Sequence, residues 1–271
     1  VKKSYSKDDL DRFYTNDSLA ARLIPEVGLD YDLIIEPSAG AGAFSKQIPN
    51  CLAFDIAPQA NGIIQQDFLE YKYDGPVPRG RILCIGNPPY GRQSSLALKF
   101  MKKCAEFADT IAFILPLSFK KASVQKKVPA TYHLDRELDL DWSSFTLKGS
   151  PYNVPCVFQV WSNKYVERPK PAIIKPVGYS YVDKNDNPDL AVRRVGVYAG
   201  RAFFDLEKCE QSHYFLKFDI PIWLPAGALL NEHVWEHNNT VGPRSISKGE
   251  LNTVLNAIVA EIVTDVARGG V

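Results

Sequence analysis

Four apolar runs of strand length follow one another in the first third of the chain, and each ends on a residue able to hydrogen-bond. Tyr31-Asp32-Leu33-Ile34-Ile35 ends at Glu36, Cys51-Leu52-Ala53-Phe54 at Asp55, Ile63-Ile64-Gln65-Gln66 at Asp67, and Arg81-Ile82-Leu83-Cys84-Ile85-Gly86 at Asn87. Runs this short and apolar, alternating with turns and helical patterns, constrain the chain to an α/β architecture with a sheet covered on both faces. In a parallel sheet the strand C-termini share one edge, where ligands bind, so these four residues are expected to meet. The pattern places strands near 32–36, 51–55, 62–66, 82–86, 110–115, 132–139 and 154–161, and helices near 17–24, 42–48, 94–107 and 117–126. That is a mainly parallel seven-stranded sheet with helices on both faces. Its last two strands are close enough for an antiparallel edge hairpin.

The segments at those ends carry chemistry. After Glu36 comes Pro37-Ser38-Ala39-Gly40-Ala41-Gly42, and small residues at such a bend let the backbone approach a ligand closely. The spacing is not that of a dinucleotide fingerprint, and a lone Gly-x-Gly is weak evidence. A carboxylate at Asp55 suits two ribose hydroxyls. Asp67 suits an adenine amino group, with Phe68 against the ring. In Asn87-Pro88-Pro89-Tyr90, Asn87 offers an amide oxygen, Pro88 a carbonyl with no N–H beside it, and Tyr90 a flat face with a polar tip. Two acceptors beside an aromatic plane suit a planar amine, either the exocyclic amino group of a base or a side-chain amide. The bland alternative is a proline-rich turn after a strand.

Taken together, these motifs resemble the S-adenosylmethionine-dependent amino-methyltransferases that act on the N6 of adenine in nucleic acid. Glu36 to Gly42 matches that family's cofactor loop, including Ser38, Ala39 and Gly40; Asp55, followed by Ile56, matches its ribose acid; Asp67-Phe68 its adenine contact; and Asn87 to Tyr90 its catalytic tetrapeptide. Phe13-Tyr14-Thr15, opening the helical pattern Leu19, Ala20, Leu23 and Ile24, resembles the element that contacts the methionine part of the cofactor, with Asn16 where the family often has proline. The resemblance covers roughly residues 10–163 and implies a Rossmann-like methyltransferase fold with S-adenosylmethionine as cofactor and no metal. The motif order, with a long C-terminal remainder, resembles the subgroup whose target-recognition region comes last. This implies a catalytic domain over 1–165 and a nucleic-acid-binding region over 166–271.

For such an enzyme, Asn87 and Pro88 would hold the amine for direct transfer, and Tyr90 would stack on one face of a flipped-out base. The family places a second aromatic before its late strand, and Tyr152 is the best candidate here, with Phe145 second. DNA is the expected partner. RNA stands beside it, since nothing in the sequence tests for a 2′-hydroxyl, and a restriction endonuclease would be the partner in a restriction–modification role. A glutamine N5 methyltransferase uses the same tetrapeptide, but that group usually has its extra helical region before the cofactor loop. A catalytically dead binding module would be expected to have lost Glu36, Asp67 or Asn87.

The rest of the chain is less specific. A net charge of +1 does not announce nucleic acid. Lys120-Lys121 and Lys126-Lys127 follow the strand pattern at 110–115 and are placed to rim the site and hold phosphates; a solvated helix face is the alternative. Glu167-Arg168-Pro169-Lys170-Pro171 reads as a linker. Ala191 to Arg201 alternates and carries Arg193, Arg194 and Arg201, as a strand or hairpin facing phosphates or bases would, or as a strand with a charged outer face. Ser247 and Glu250 form a capping-box pattern before a helical stripe of Leu251, Val254, Leu255, Ile258, Ile262 and Val266, read as core. His233 and His237 have zinc-helix spacing but the wrong glutamate position and no evident third ligand. Pro155-Cys156 resembles a cytosine-C5 nucleophile pair but falls in an apolar strand. The 5 cysteines, with no Cys-x-x-Cys, are expected to be reduced thiols of a cytoplasmic protein. No run is apolar and long enough to cross a membrane, and no apolar signal segment opens the chain.

Overall fold

The computed structural model describes residues 14–75, 80–140, 145–147, 150–152, 155–170, 172–235 and 244–269; for Tyr14, 145–147 and 150–152 the backbone alone is described. The chain divides into two compact units, Val1–Lys170 and Pro171–Val271.

The first unit runs β1 (Tyr14–Thr15), α1 (Asp17–Leu23), β2 (Leu33–Glu36), β3 (Leu52–Asp55), β4 (Ile64–Gln65), β5 (Ile82–Gly86), α2 (Ser95–Cys104), β6 (Thr110–Pro116), α3 (Ala122–Gln125), β7 (Tyr132–Asp139), β8 (Phe145–Leu147), β9 (Ser150–Tyr152) and β10 (Cys156–Asn163). Its main sheet has seven strands in the order β4-β3-β2-β5-β6-β10-β7. The first five are parallel, and β10 is antiparallel to both β6 and β7. This is the α/β fold expected. The chain moves outward from β2 through β3 to β4, then restarts at β5 and goes the other way. The crevice at such a switch point opens beyond the carboxyl ends of β2 and β5.

Burial explains the order. Every residue of β5 and β6 is buried, as central strands covered on both faces require. One face packs α2 through Phe100, Met101 and Cys104 against Phe113 and Trp161. The other packs Leu19 and Leu23 of α1 with Phe44 and Ile48 against Ile85, Ile114 and Phe158. The β7–β10 hairpin forms with the later strand inside: β10 is buried from Cys156 to Trp161, whereas in β7 only Tyr132 is buried and the strand takes the edge.

Several expected elements differ. No helix forms over 42–48; the segment is a series of turns, with Lys46 N donating to Gly42 O and Ile48 N to Phe44 O. Gly40 and Gly42 hold φ at 53° and 79°, and the Glu36 carboxylate captures the amides of Phe44 and Ser45. The strand expected over 62–66 shrinks to Ile64–Gln65. The helix expected over 117–126 breaks at Lys121, whose ψ is 132°, into a 3-10 turn and the four-residue α3.

The second unit contains β11 (Tyr179–Val182), β12 (Leu190–Arg193), β13 (Ala202–Phe203), β14 (His213–Phe218), α4 (Trp223–Glu232) and α5 (Lys248–Gly269). Its four-stranded antiparallel sheet, β11-β14-β12-β13, shares a core with both helices. The run from Ala191 to Arg201 is not one strand: β12 ends at Arg193, and the chain turns through Gly196 and Gly200, at φ of 98° and 95°, before β13. The capping box of α5 is present, with Ser247 N donating to Glu250 Oε2 at 2.7 Å and Glu250 N to Ser247 Oγ at 3.2 Å. Leu251, Leu255 and Val259 are buried, but Val266 is 65% exposed. A helix of 22 residues spans about 33 Å, more than a six-residue strand spans, so its last turns overhang the sheet. Among the described residues no helix is long and apolar enough to cross a membrane.

Candidate active site

A cavity of about 370 Å³ opens at the carboxyl edge of the first unit's sheet, where the strand order reverses. Glu36, Asp55, Asp67 and Asn87 all line it. The four strand-ending residues do converge.

Each acid also organises its own loop. Glu36 is 2% exposed, and its Oε2 accepts from Ser45 N at 2.8 Å while Oε1 accepts from Phe44 N at 3.4 Å. Burial pushes its carboxyl up to about 7, against those hydrogen bonds and with help from the Asp55 charge. Asp55 Oδ2 accepts from Gly40 N at 2.7 Å and Oδ1 from Ala57 N at 2.8 Å, fixing the small-residue loop beside the cavity. Asp67 caps a 3-10 turn through Leu69 N at 2.9 Å. Ser38, Ala39, Gly40 and Ile56 line the cavity. Gly42 is not among its lining residues; its positive φ serves the turn, where an added Cβ would sit 3.0 Å from Ser45 Oγ. Phe68 reaches the cavity but is 1% exposed, its ring stacked between Tyr71 at 5.6 Å and Phe100 at 5.9 Å, so most of it belongs to the core.

Thr15 also lines the cavity, with its hydroxyl buried and not hydrogen-bonded among the described residues. Asn16, where the resembled family often has proline, caps α1 by accepting from Leu19 N at 2.7 Å. Phe13 lies outside the described residues, as do the side chains of Tyr14, Phe145 and Tyr152. Backbone pairing places them: Tyr14 opposite Thr146, Thr15 opposite Phe145, and Phe145 opposite Tyr152.

The tetrapeptide follows β5 directly. Ser38 Oγ donates to Asn87 O at 3.1 Å, joining the small-residue loop to it. The Asn87 side-chain oxygen is buried, Pro88 is buried and Pro89 lines the cavity. Tyr90 is not among the lining residues. Its half-buried ring packs against the cores on both sheet faces, and its hydroxyl lies 3.1 Å from Cys156 Sγ. Cys156 is thereby a buried structural thiol, pushed up to about 12 by burial. Leu96 and Phe100, four residues apart on α2, supply an apolar wall that the sequence reading assigned only to a helix; their i, i+4 spacing just after the tetrapeptide was the available signal.

The cationic candidates differ in their surroundings. Lys120 does not project as a phosphate ligand: it holds Asp139 at 2.8 Å and Glu137 at 3.7 Å on β7. Burial alone would lower its ammonium, but those carboxylates raise it overall. Lys121 is half-buried at the break before α3. In the second unit, Arg193 turns inward, donating to Val195 O at 2.7 Å and Ser212 Oγ at 3.2 Å, while Arg194 stays exposed over the Tyr214 ring at 5.9 Å. His237 lies outside the described residues, among which no cluster of three potential metal ligands occurs.

No family model matches the chain, and no curated protein matches it. Among solved structures it is similar to a Pyrococcus horikoshii protein provisionally described as an RNA methyltransferase, at 14% identity and a TM-score of 0.44, over 59% of this chain and 90% of that one. A Thermoplasma acidophilum protein is similar at 20% identity and a TM-score of 0.42, over 59% and 96%. At these values the likeness says nothing of activity or substrate. The cavity itself offers three carboxylates, a close backbone approach and an apolar aromatic wall. That set suits a cationic ligand bearing a ribose and a flat ring.

Proposed function

We infer that the first unit transfers a methyl group from S-adenosylmethionine to the N6 amino group of adenine in nucleic acid, with DNA as the substrate, and that the second unit selects the target. The observation that carries this reading is the Ser38–Asn87 hydrogen bond, which makes the small-residue loop and the amine-holding tetrapeptide one wall of a single cavity.

When bound, S-adenosylmethionine supplies a sulfonium methyl, electrophilic enough that no covalent enzyme intermediate is needed. Asp55 would take the ribose hydroxyls with the lone pairs left over from Gly40 and Ala57. Asp67 would accept from the adenine amino group, with Leu96, Phe100 and the accessible part of Phe68 packing the ring. Thr15 and Glu36, which also line the cavity, would face the methionine part of the cofactor. The Asn87 side-chain oxygen and the Pro88 carbonyl would accept from the target amine, holding its lone pair in line for transfer. As that nitrogen gains positive charge, the same two dipoles stabilise it without reorganising, and its proton leaves to water. Tyr90, packed against both cores and braced through Cys156, would stiffen the tetrapeptide from behind. A base in a duplex must leave the stack to reach the tetrapeptide, at a cost of a few kcal/mol.

The test is a substrate panel. The full chain is incubated with methyl-labelled S-adenosylmethionine and, separately, duplex DNA, total RNA and a release factor. Label in the adenine of DNA is the expected result; label confined to protein glutamine would overturn the reading, and label confined to RNA would replace its substrate.

A further inference from the structure

Proteins that grip a nucleic-acid strand bring unpaired cations and exposed aromatic faces to one edge. The second unit carries exposed cations and an exposed aromatic along 194–201 and 244–248, within and beside the arginine-bearing run that the sequence marked. Residues 194–196 run antiparallel to 244–246: Ile246 N donates to Arg194 O at 2.9 Å, Gly196 N to Arg244 O at 2.7 Å, and Val195 bridges Ser245. This short ladder pairs Arg194 with Ile246 and Arg244 with Gly196, so the two arginines sit diagonally across it, both exposed. Arg194 and Lys248 each lie over the Tyr214 ring at 5.9 Å. Beyond the ladder, Tyr198 is 60% exposed, with the Arg201 guanidinium over its ring at 5.7 Å.

Lys184, Lys208 and Lys217 each hold a carboxylate at 2.7–2.9 Å. Arg194, Arg201, Arg244 and Lys248 make no ion pair among the described residues. Glu250, the acid nearest in sequence to Arg244 and Lys248, is held in the capping box, and Asp189 and Asp205 are paired with Lys217 and Lys208. Behind Tyr198 lies a cleft of about 260 Å³, lined also by Gly200, His233 and Trp235. The Trp235 Nε1 is buried and makes no hydrogen bond among the described residues. Gly200 permits this approach, since a Cβ there would lie 2.1 Å from that nitrogen.

The geometry points to this surface as the nucleic-acid grip of the second unit, resting on the proposed function: Arg194, Arg201, Arg244 and Lys248 hold phosphates, and Tyr198 stacks a base. An acidic protein would use the cations but not the stacking face.

The experiment compares the full-length wild type with Arg194→Gln/Arg201→Gln, Arg194→Lys/Arg201→Lys and Tyr198→Ala on fluorescent duplex and single-stranded oligonucleotides, titrated across salt. S-adenosylmethionine affinity and thermal unfolding are measured on each protein. The Gln pair is expected to weaken binding at least tenfold near physiological salt and to flatten the log–log salt slope by about 2, with cofactor affinity unchanged. The Lys pair is expected to keep the slope. Tyr198→Ala is expected to lose roughly fivefold or more on single strands. Wild-type affinity and slope in the Gln pair would overturn this inference while leaving the catalytic reading standing; so would equal losses in the Gln and Lys pairs, which would mean packing rather than charge. A wild type that binds neither oligonucleotide, yet saturates with an acidic polypeptide, would overturn both.

Discussion

The Tyr90 hydroxyl lies 3.1 Å from Cys156 Sγ, joining the last residue of the tetrapeptide to the first residue of β10. Tyr90 thus closes the loop from behind, and its ring and hydroxyl separate into a large effect and a small one. Tyr90→Phe is expected to cost about 0.5–1.5 kcal/mol, one modest hydrogen bond. Tyr90→Ala is expected to cost about 3–5 kcal/mol, because the ring packs against both cores. Urea unfolding of both variants checks this; equal costs would place the anchor in the hydroxyl alone.

Glu36 makes the fold sensitive to pH. Its carboxyl is raised from 4.5 to about 7 by burial, so between those values the folded chain holds a proton that the unfolded chain has released. Stability from this group is full below about 4.5 and is lost as pH rises through about 7, by roughly 3 kcal/mol in all. Unfolding free energies of wild type and Glu36→Gln, measured from about pH 4 to pH 8, should diverge against the wild type as pH rises. Parallel curves would show that Glu36 ionises in the folded protein as it does in water.

Gln93 and Ser94 sit at φ of 54° and 61°, left-handed conformations just after the tetrapeptide. Ser94 is buried and its hydroxyl meets Ser118 Oγ at 2.8 Å, so it has a reason to be there. Gln93 is exposed. Gln93→Gly is expected to raise stability by about 1 kcal/mol, since glycine adopts this conformation without the Cβ clash. Thermal unfolding reads the sign, and a lower melting temperature would contradict it.

The convergence of Glu36, Asp55, Asp67 and Asn87 was legible because strand length and parallel order follow from local apolar runs. What was not legible depends on partners distant in the chain. Glu36 draws Phe44 and Ser45 amides into turns where local pattern suggests a helix. Lys120 is claimed by Asp139, and Tyr90 by Cys156, across loops whose closure no local pattern announces. Leu96 and Phe100 look like ordinary core positions until the cavity beside α2 exists. The placement of β10 inside β7 was visible only as a difference in apolarity between the two strands.

Asp55 is expected to have two roles at once. Asp55→Ala removes the proposed ribose acceptor and also frees the Gly40 and Ala57 amides. S-adenosylmethionine affinity should fall by about 1.5–3 kcal/mol, as for hydrogen bonds to a charged group, and thermal stability should fall with it. Calorimetry showing unchanged affinity in the folded variant would remove Asp55 from the ribose role.

The most direct measurement is mass spectrometry of nucleosides from duplex DNA after incubation with deuterated-methyl S-adenosylmethionine, run on wild type and on Asn87→Ala at matched cofactor occupancy. Labelled N6-methyladenine is expected from the wild type. At least about a hundredfold less is expected from Asn87→Ala, the loss of one transition-state acceptor, with cofactor affinity nearly intact. Undiminished N6-methyladenine from the variant, or none from a cofactor-saturated wild type, would contradict the proposed function.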